Sequence, residues 1–185
     1  PLALADAASQ KTGVLVAPPL NFGASPYFLT YPGTISLRIS TLLDVVEDMI
    51  RYVYGYGFRR LLVLNGHGGN QPAAGRIYEL ANLLPGLRVT WYSWWTAHSV
   101  EQVAVSHEIK PYHASWLEDF PFTRVSELPE GVKTPPHYIG MLSASEMRSV
   151  MGDGVFGGAY QVDPKIMDEI FTAALQDVVY HLQFE

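Results

Sequence analysis

The sequence predicts an α/β protein, a three-layer α/β/α sandwich with a mostly parallel sheet. Three observations carry that expectation. Short apolar runs at residues 14–17, 61–64 and 87–95 alternate with stretches of helical periodicity. The alternation with short connections is the pattern of such a sandwich with right-handed crossovers. The run Leu61, Leu62, Val63, Leu64 is also continuous rather than alternating, the mark of a strand covered on both faces, as happens in a parallel sheet. A chain of 185 residues suits one domain spanning residues 1–185.

Taken in order, residues 3–11 are rich in alanine and helix formers, and Gly13 follows as a stop. The chain therefore opens on a helix. Residues 14–17 read as a buried strand ended by Pro18 and Pro19, since proline cannot donate to a sheet ladder. A loop rich in glycine, proline and aromatics continues to Gly33, a natural wall for a site. From Ser40, the residues Leu42, Leu43, Val45, Val46, Met49, Ile50 and Val53 recur at three and four, predicting a helix with one buried face that Gly55 and Gly57 stop. Residues 61–64 form the second strand. Residues 71–84 form a helix closed by Pro85 and Gly86, and residues 87–95 have the β-branched and aromatic makeup of a third strand. Beyond Thr96 only two elements stand out. One is a short helix over residues 143–150; the other is a final helix opened by Asp163 as cap and Pro164 in its first turn.

Composition narrows the function classes. Charged residues make up 16% and the net charge is −6, which argues against the basic surface that nucleic-acid binding needs. No apolar run reaches the roughly 18 residues of a membrane span, and no signal pattern opens the chain. With no cysteine, any metal must be held by imidazole and carboxylate, and the composition fits the cytoplasm. Pro1 in place of methionine leads to the expectation that the sequence opens inside a longer chain.

In open α/β sheets, ligands bind beyond the carboxyl ends of the strands. There Leu64 is followed by Asn65, Gly66, His67, Gly68, Gly69 and Asn70. Glycines tolerate positive φ and close backbone approach, so they can present His67 with little surrounding bulk. The same residues also suit a plain tight turn with His67 as a local cap, or an anion nest at a helix N-terminus, although the spacing is not that of nucleotide loops. The second segment runs from Pro111 through Tyr112, His113, Ala114, Ser115, Trp116 and Leu117 to Glu118. On a helix, His113 and Glu118 would lie a turn and a half apart and reach one pocket. Taken singly, Glu118 reads as a solvated acid, a reading that Asp119 beside it fits, and His113 as a cap. Tyr112, Trp116, Trp94 and Trp95 can wall a pocket for a flat ligand or simply pack in the core. Asn70 joins Tyr112 and Trp116 as a substrate-contact candidate. His98, His107, His137 and His181 show no ligand spacing and read as surface or packing residues.

Together these segments resemble the creatininase (creatinine amidohydrolase) family. The resemblance rests on residues 18–37 with Pro-Gly-Thr-Ile-Ser at 32–36, on Gly57-Phe58-Arg59-Arg60 leading into Leu-Asn-Gly-His-Gly-Gly-Asn at 64–70, and on His113-Ala114-Ser115 with Glu118. They cover most of the chain in the family's order. The resemblance implies a creatininase-like fold and a hydrolase with two divalent ions, zinc, manganese or iron. It implies His67 as a metal ligand, Glu118 as a carboxylate ligand in members with glycine where Gly69 stands, and His113 as the catalytic group carrying a proton to the leaving group. It also implies a homo-oligomer, a hexamer among the possibilities. Two departures stand out. The family's Glu-x-His and bridging Asp do not occur before Pro18, so the N-terminal strand and first metal-binding segment are expected to be missing, and Asp6, in an alanine-rich helix, is not taken as the bridging acid. Asp119 and Phe120 stand where Thr-Ser usually follows the glutamate.

The expected reaction is metal-assisted hydrolysis of a small polar, cyclic substrate at a C–N amide bond. A bound divalent ion lowers the pKa of water from about 15.7 to about 7, and an imidazole, with an ordinary pKa near about 6.5, suits the proton transfer. Two alternatives remain beside it. Gly152-Asp153-Gly154 and Gly157-Gly158-Ala159-Tyr160 resemble the substrate-side loop of relatives that hydrolyse an oxidised inositol-type ring, a fold-level analogy. The missing Glu-x-His instead suits a metal-free, non-catalytic binding or assembly subunit.

Overall fold

The computed structural model describes residues 1–184. They group into two compact units, one of Pro1–Pro26, Ile35–Trp94 and the stretch from Leu175 onward, the other of Tyr27–Thr34 and Trp95–Ala174.

In the first unit, α1 (Leu2–Thr12) ends where Gly13 turns left-handed at φ 74 and its N–H bonds the Ser9 carbonyl. Residues 14–17, expected to form a buried strand, pair with no neighbour among the described residues, and Leu15 and Val16 are exposed. An apolar run becomes a strand only when a partner lies alongside it. Helix α2 (Ile39–Gly55) follows the predicted stripe and buries Leu42 and Ile50. Strand β1 (Arg60–Asn65) leads to α3 (Pro72–Leu83), whose first turn carries the proline, and on to β2 (Arg88–Ser93). The two strands pair in parallel from Arg60 opposite Arg88 to Asn65 opposite Ser93. Parallel pairing therefore holds, but β1 is only partly buried before Asn65, not covered throughout. Ile50, Ile77, Leu80 and Leu87 form the core of this unit, with Val46, Leu61, Val63, Val89 and Trp91 packed against it. Burial of four such side chains, each contributing roughly 1.5–3 kcal/mol, fixes α2 and α3 against the strands and so fixes where β1 ends.

Tyr92 on β2 is buried, donates its hydroxyl to Asp177 Oδ2 at 3.1 Å and packs its ring 5.2 Å from that of His181. Burial first, then the charge and the hydrogen bond of Asp177, raise the pKa of this phenol well above its ordinary value. Above about pH 10 the unfolded chain releases this proton while the folded chain retains it, so stability falls by about 1.4 kcal/mol per pH unit from this group. Denaturant titrations from pH 8 upward check this: Tyr92→Phe should flatten the alkaline decline, and an unchanged slope would refute the assignment.

In the second unit, α4 (His98–Ser106) occupies a stretch where the sequence suggested no element. Helix α5 (Ala144–Met151) has the predicted position, with Ser143 and Glu146 forming a reciprocal capping box. A two-residue antiparallel ladder joins β3 (Val132–Lys133) to β4 (Gly158–Ala159). Helix α6 (Pro164–His181) opens as expected, Asp163 Oδ1 accepting from the Lys165 N–H at 2.9 Å. No helix among the described residues is long and apolar enough to cross a membrane.

Candidate functional site

The carboxyl end of β1 delivers the chain into a turn built around Asn65, which is 3% exposed. Its Oδ1 accepts from the His67 N–H at 3.1 Å and from Asn70 Nδ2 at 3.2 Å, and its Nδ2 donates to Ser93 Oγ on β2 at 3.1 Å. Asn70 Oδ1 in turn accepts from the Ala24 N–H at 2.9 Å. Residues 23–25 are thereby laid across the turn, and the Leu37 N–H closes the loop on the Gly23 carbonyl at 2.8 Å. The crossing is tight. A Cβ on Gly69 would stand 1.9 Å from the Ala24 carbonyl oxygen, and one on Gly23 would stand 2.3 Å from Asn70 Oδ1. None of Gly66, Gly68 and Gly69 has a positive φ, so of the two freedoms expected of this motif only close approach is used, most tightly at Gly69 and less so at Gly66, whose Cβ would stand 3.0 Å from Pro1.

His67 is extended, at φ −156, with Nδ1 turned inward: 3.1 Å from the Ala24 carbonyl, 3.3 Å from Ser25 Oγ and 3.2 Å from the Gly69 N–H. A proton on Nδ1 donates to Ala24 and leaves the lone pair on Nε2; a proton on Nε2 instead makes Nδ1 the acceptor for Gly69. A cation held by His67 through Nε2 would require the first tautomer, with the Ala24 carbonyl orienting the ring. The loop that holds residues 23–25 was expected to wall a site, but no role for Asn65 and no contact of Ala24 was read from the sequence. Adjacency to His67 was the available signal for Asn65, whereas the Ala24 contact joins segments far apart in the chain.

In the second unit, residues 111–118 do not form the helix on which His113 and Glu118 were expected. Ser115 Oγ donates to the Tyr112 carbonyl at 2.7 Å, closing a turn, and a 3-10 turn follows at Trp116–Glu118. Ala114 is held at φ 55, a left-handed conformation that costs a non-glycine residue energy. Glu118 Oε1 accepts from the Ala114 N–H at 2.9 Å, so the carboxylate folds back on the residue after His113 while remaining at the surface. Asp119 is no surface acid. It is buried and gripped by Arg124 through two bonds of 2.5 Å, a bidentate pairing that lets the charge leave solvent. Trp116 is wholly buried and donates its indole N–H to the Lys110 carbonyl at 3.1 Å, whereas Tyr112 is partly exposed with Lys110 Nζ 5.2 Å from its ring centre. Of the other tryptophans, Trp94 is buried and Trp95 partly exposed.

The imidazole of His113 stacks on Phe28 at 5.2 Å and 11°, and Phe156 leans on it at 4.8 Å and 50°. The Phe156 N–H also bonds the His113 carbonyl at 3.1 Å. The donor chemistry on the chain, imidazole nitrogen and carboxylate oxygen, suits zinc, manganese or iron. Among the described residues, no three histidine, aspartate or glutamate side chains are grouped as a metal site.

This architecture defines an α/β protein of the creatininase fold. A manganese form of creatininase superposes with a TM-score of 0.77 at 20% identity, over 99% of this chain and 80% of that one. A zinc-zinc form of a creatininase variant superposes at 0.71 and 21%, over 100% of this chain and 80% of that one. A family model described as creatininase, creatinine amidohydrolase, matches residues 1–182, and the chain belongs to the creatininase family. In sequence it is 30% identical to the 3-dehydro-scyllo-inosose hydrolase of Thermotoga maritima over 120 residues, 62% of this chain and 37% of that protein. It is 36% identical to the creatinine amidohydrolase of Pseudomonas putida over 75 residues, 38% of this chain and 29% of that protein. The matched stretches thus span 37% and 29% of those two relatives.

Proposed function

We propose that this chain belongs to a metal-dependent hydrolase of the creatininase type acting on a small polar, cyclic substrate, most naturally at a C–N amide bond. The observation that carries the reading is the braced turn at the end of β1, which holds the His67 ring with Nδ1 against the Ala24 carbonyl. Family membership supports it.

In this reading His67 and Glu118 supply imidazole and carboxylate donors to divalent ions, two in number and zinc, manganese or iron in kind. Divalent ions held there would supply a lowered pKa for bound water and polarisation of the carbonyl under attack. His113 carries a proton to the leaving nitrogen, from a backbone held by the turn at residues 112–115. Tyr112 contacts the substrate with its exposed edge, and Trp116, being buried, shapes the site from behind. Asn70 contributes by holding residues 23–25 over the turn. A cytoplasmic homo-oligomer, up to a hexamer, completes the proposal.

One observation favours a second substrate class, an oxidised inositol-type ring: the match to the 3-dehydro-scyllo-inosose hydrolase extends over 120 residues against 75 for the creatinine amidohydrolase. A metal-free binding subunit is the remaining reading. Hydrolysis of creatinine and of 3-dehydro-scyllo-inosose by manganese- and zinc-loaded protein separates the three. The hydrolase reading expects turnover of one of them, its loss on chelation, its return on adding metal, and at least about one ion per chain. Folded protein that stays below that occupancy and turns over neither compound is the binding subunit.

A further inference from the structure

Two segments far apart in the chain converge on the imidazole of His113. Phe28 comes from residues 27–34, a loop fastened to α5 where Thr30 Oγ1 donates to the Ala144 carbonyl at 2.9 Å and Arg148 bonds the Thr30 carbonyl. Phe156 comes from the glycine-rich loop between α5 and β4, in which Gly152, Gly154 and Gly157 have positive φ, as does Gly158 at the start of β4. That loop is anchored through Asp153, which pairs with Lys133, accepts from Tyr160 Oη at 2.8 Å and accepts from the Val155 N–H at 3.0 Å. A Cβ on Gly157 would come within 2.7 Å of Pro135, and one on Gly158 within 2.8 Å of the Tyr112 ring. The backbone that delivers Phe156 therefore has little room to lie elsewhere.

We infer that Phe28 and Phe156 are positioning residues that clamp the His113 ring, with Asp153 acting as the remote anchor of the clamp. The stacked Phe28 face and the tilted Phe156 ring restrict rotation about the imidazole's side-chain bonds and exclude water from those sides, while the Phe156 N–H fixes the backbone beneath. This rests on the reading of His113 as proton carrier for its catalytic consequence, but not for the geometry. Both phenylalanines are only partly buried, so shortening either should leave the fold standing.

The test uses the full chain, metal-loaded, carrying Phe28→Leu, Phe28→Tyr, Phe156→Leu, Phe156→Tyr or Asp153→Asn. Carbethoxylation of His113 by diethyl pyrocarbonate is followed by peptide mass spectrometry relative to His98, whose side chain is 80% exposed and serves as the internal standard. The leucine variants and Asp153→Asn should raise the relative rate at His113 by about fivefold or more, and the tyrosine variants, which keep a ring, should stay within about twofold of the parent. On whichever of creatinine or 3-dehydro-scyllo-inosose is turned over, the leucine variants should lower kcat by about tenfold with KM nearly unchanged. Unchanged His113 reactivity in both leucine variants overturns the clamp. If a leucine variant fails to fold, Phe28→Met and Asp153→Asn decide in its place by the same readout. Raised reactivity with unchanged kcat upholds the clamp and instead overturns the role of His113 in proton transfer.

Discussion

Replacing His113 with glutamine should lower turnover roughly 100- to 10,000-fold, the range that a positioned general acid or base contributes, while metal content stays at the parent level. Glutamine approximates the imidazole's size and keeps hydrogen-bonding atoms but cannot shuttle a proton near neutral pH, so the flanking rings of Phe28 and Phe156 retain something to pack against. His67→Ala should do the reverse in one respect: bound metal falls first, and activity falls with it. Metal analysis by mass spectrometry alongside turnover separates the two. A His67→Ala protein with full metal occupancy, or a His113→Gln protein that has lost it, would show that the two roles are exchanged.

Gly69→Ala should be among the most disruptive single-methyl changes in the chain. The added carbon would stand 1.9 Å from the Ala24 carbonyl oxygen, a backbone atom that cannot rotate away, so residues 23–25 or the turn itself must move. Overpacking of this kind costs about 1–3 kcal/mol and sometimes more. The same displacement breaks the contact between Ala24 and His67 Nδ1, so metal affinity should fall along with the thermal midpoint. Gly75→Ala is the control. Gly75 is exposed within α3 and nothing lies within 4 Å of its would-be Cβ, so alanine there should stabilise by roughly 0.5–1 kcal/mol. Equal midpoints for the two variants would refute the close crossing.

What could be read from the sequence was what local chemistry dictates. The periodic apolar residues from Leu42 to Val53, the stop at Gly13, the Asp163-Pro164 opening and the Ser143 cap each act within a turn or two, and each element formed where its residues said it would. Residues 14–17 did not become a strand because pairing depends on a distant neighbour, which no run of four residues can specify. Helix α4 escaped because its nine residues mix His98, Ser99, Glu101 and Gln102 with a short apolar stripe. The expected helix at residues 111–118 gave way to two tight turns, since Ser115 bonds Tyr112 and Glu118 reaches back to Ala114, local bonds that compete with helical ones.

The site divides in the same way. Glycines around His67 marked a strand-end turn, but the fastening of that turn by Asn65, Asn70 and Ala24 is a tertiary fact. Likewise His113 was visible as a candidate, whereas the rings that hold it come from residues with no motif in common with it.

The asparagine bracing of the His67 turn has a consequence for how a ligand would be received. Because side-chain amides already immobilise the loop, little disorder remains to be lost when a cation arrives, and the ordering penalty falls on folding rather than on association. Calorimetry of metal uptake should therefore show a smaller unfavourable entropy for the parent than for Asn70→Ala, in which the loop is set loose.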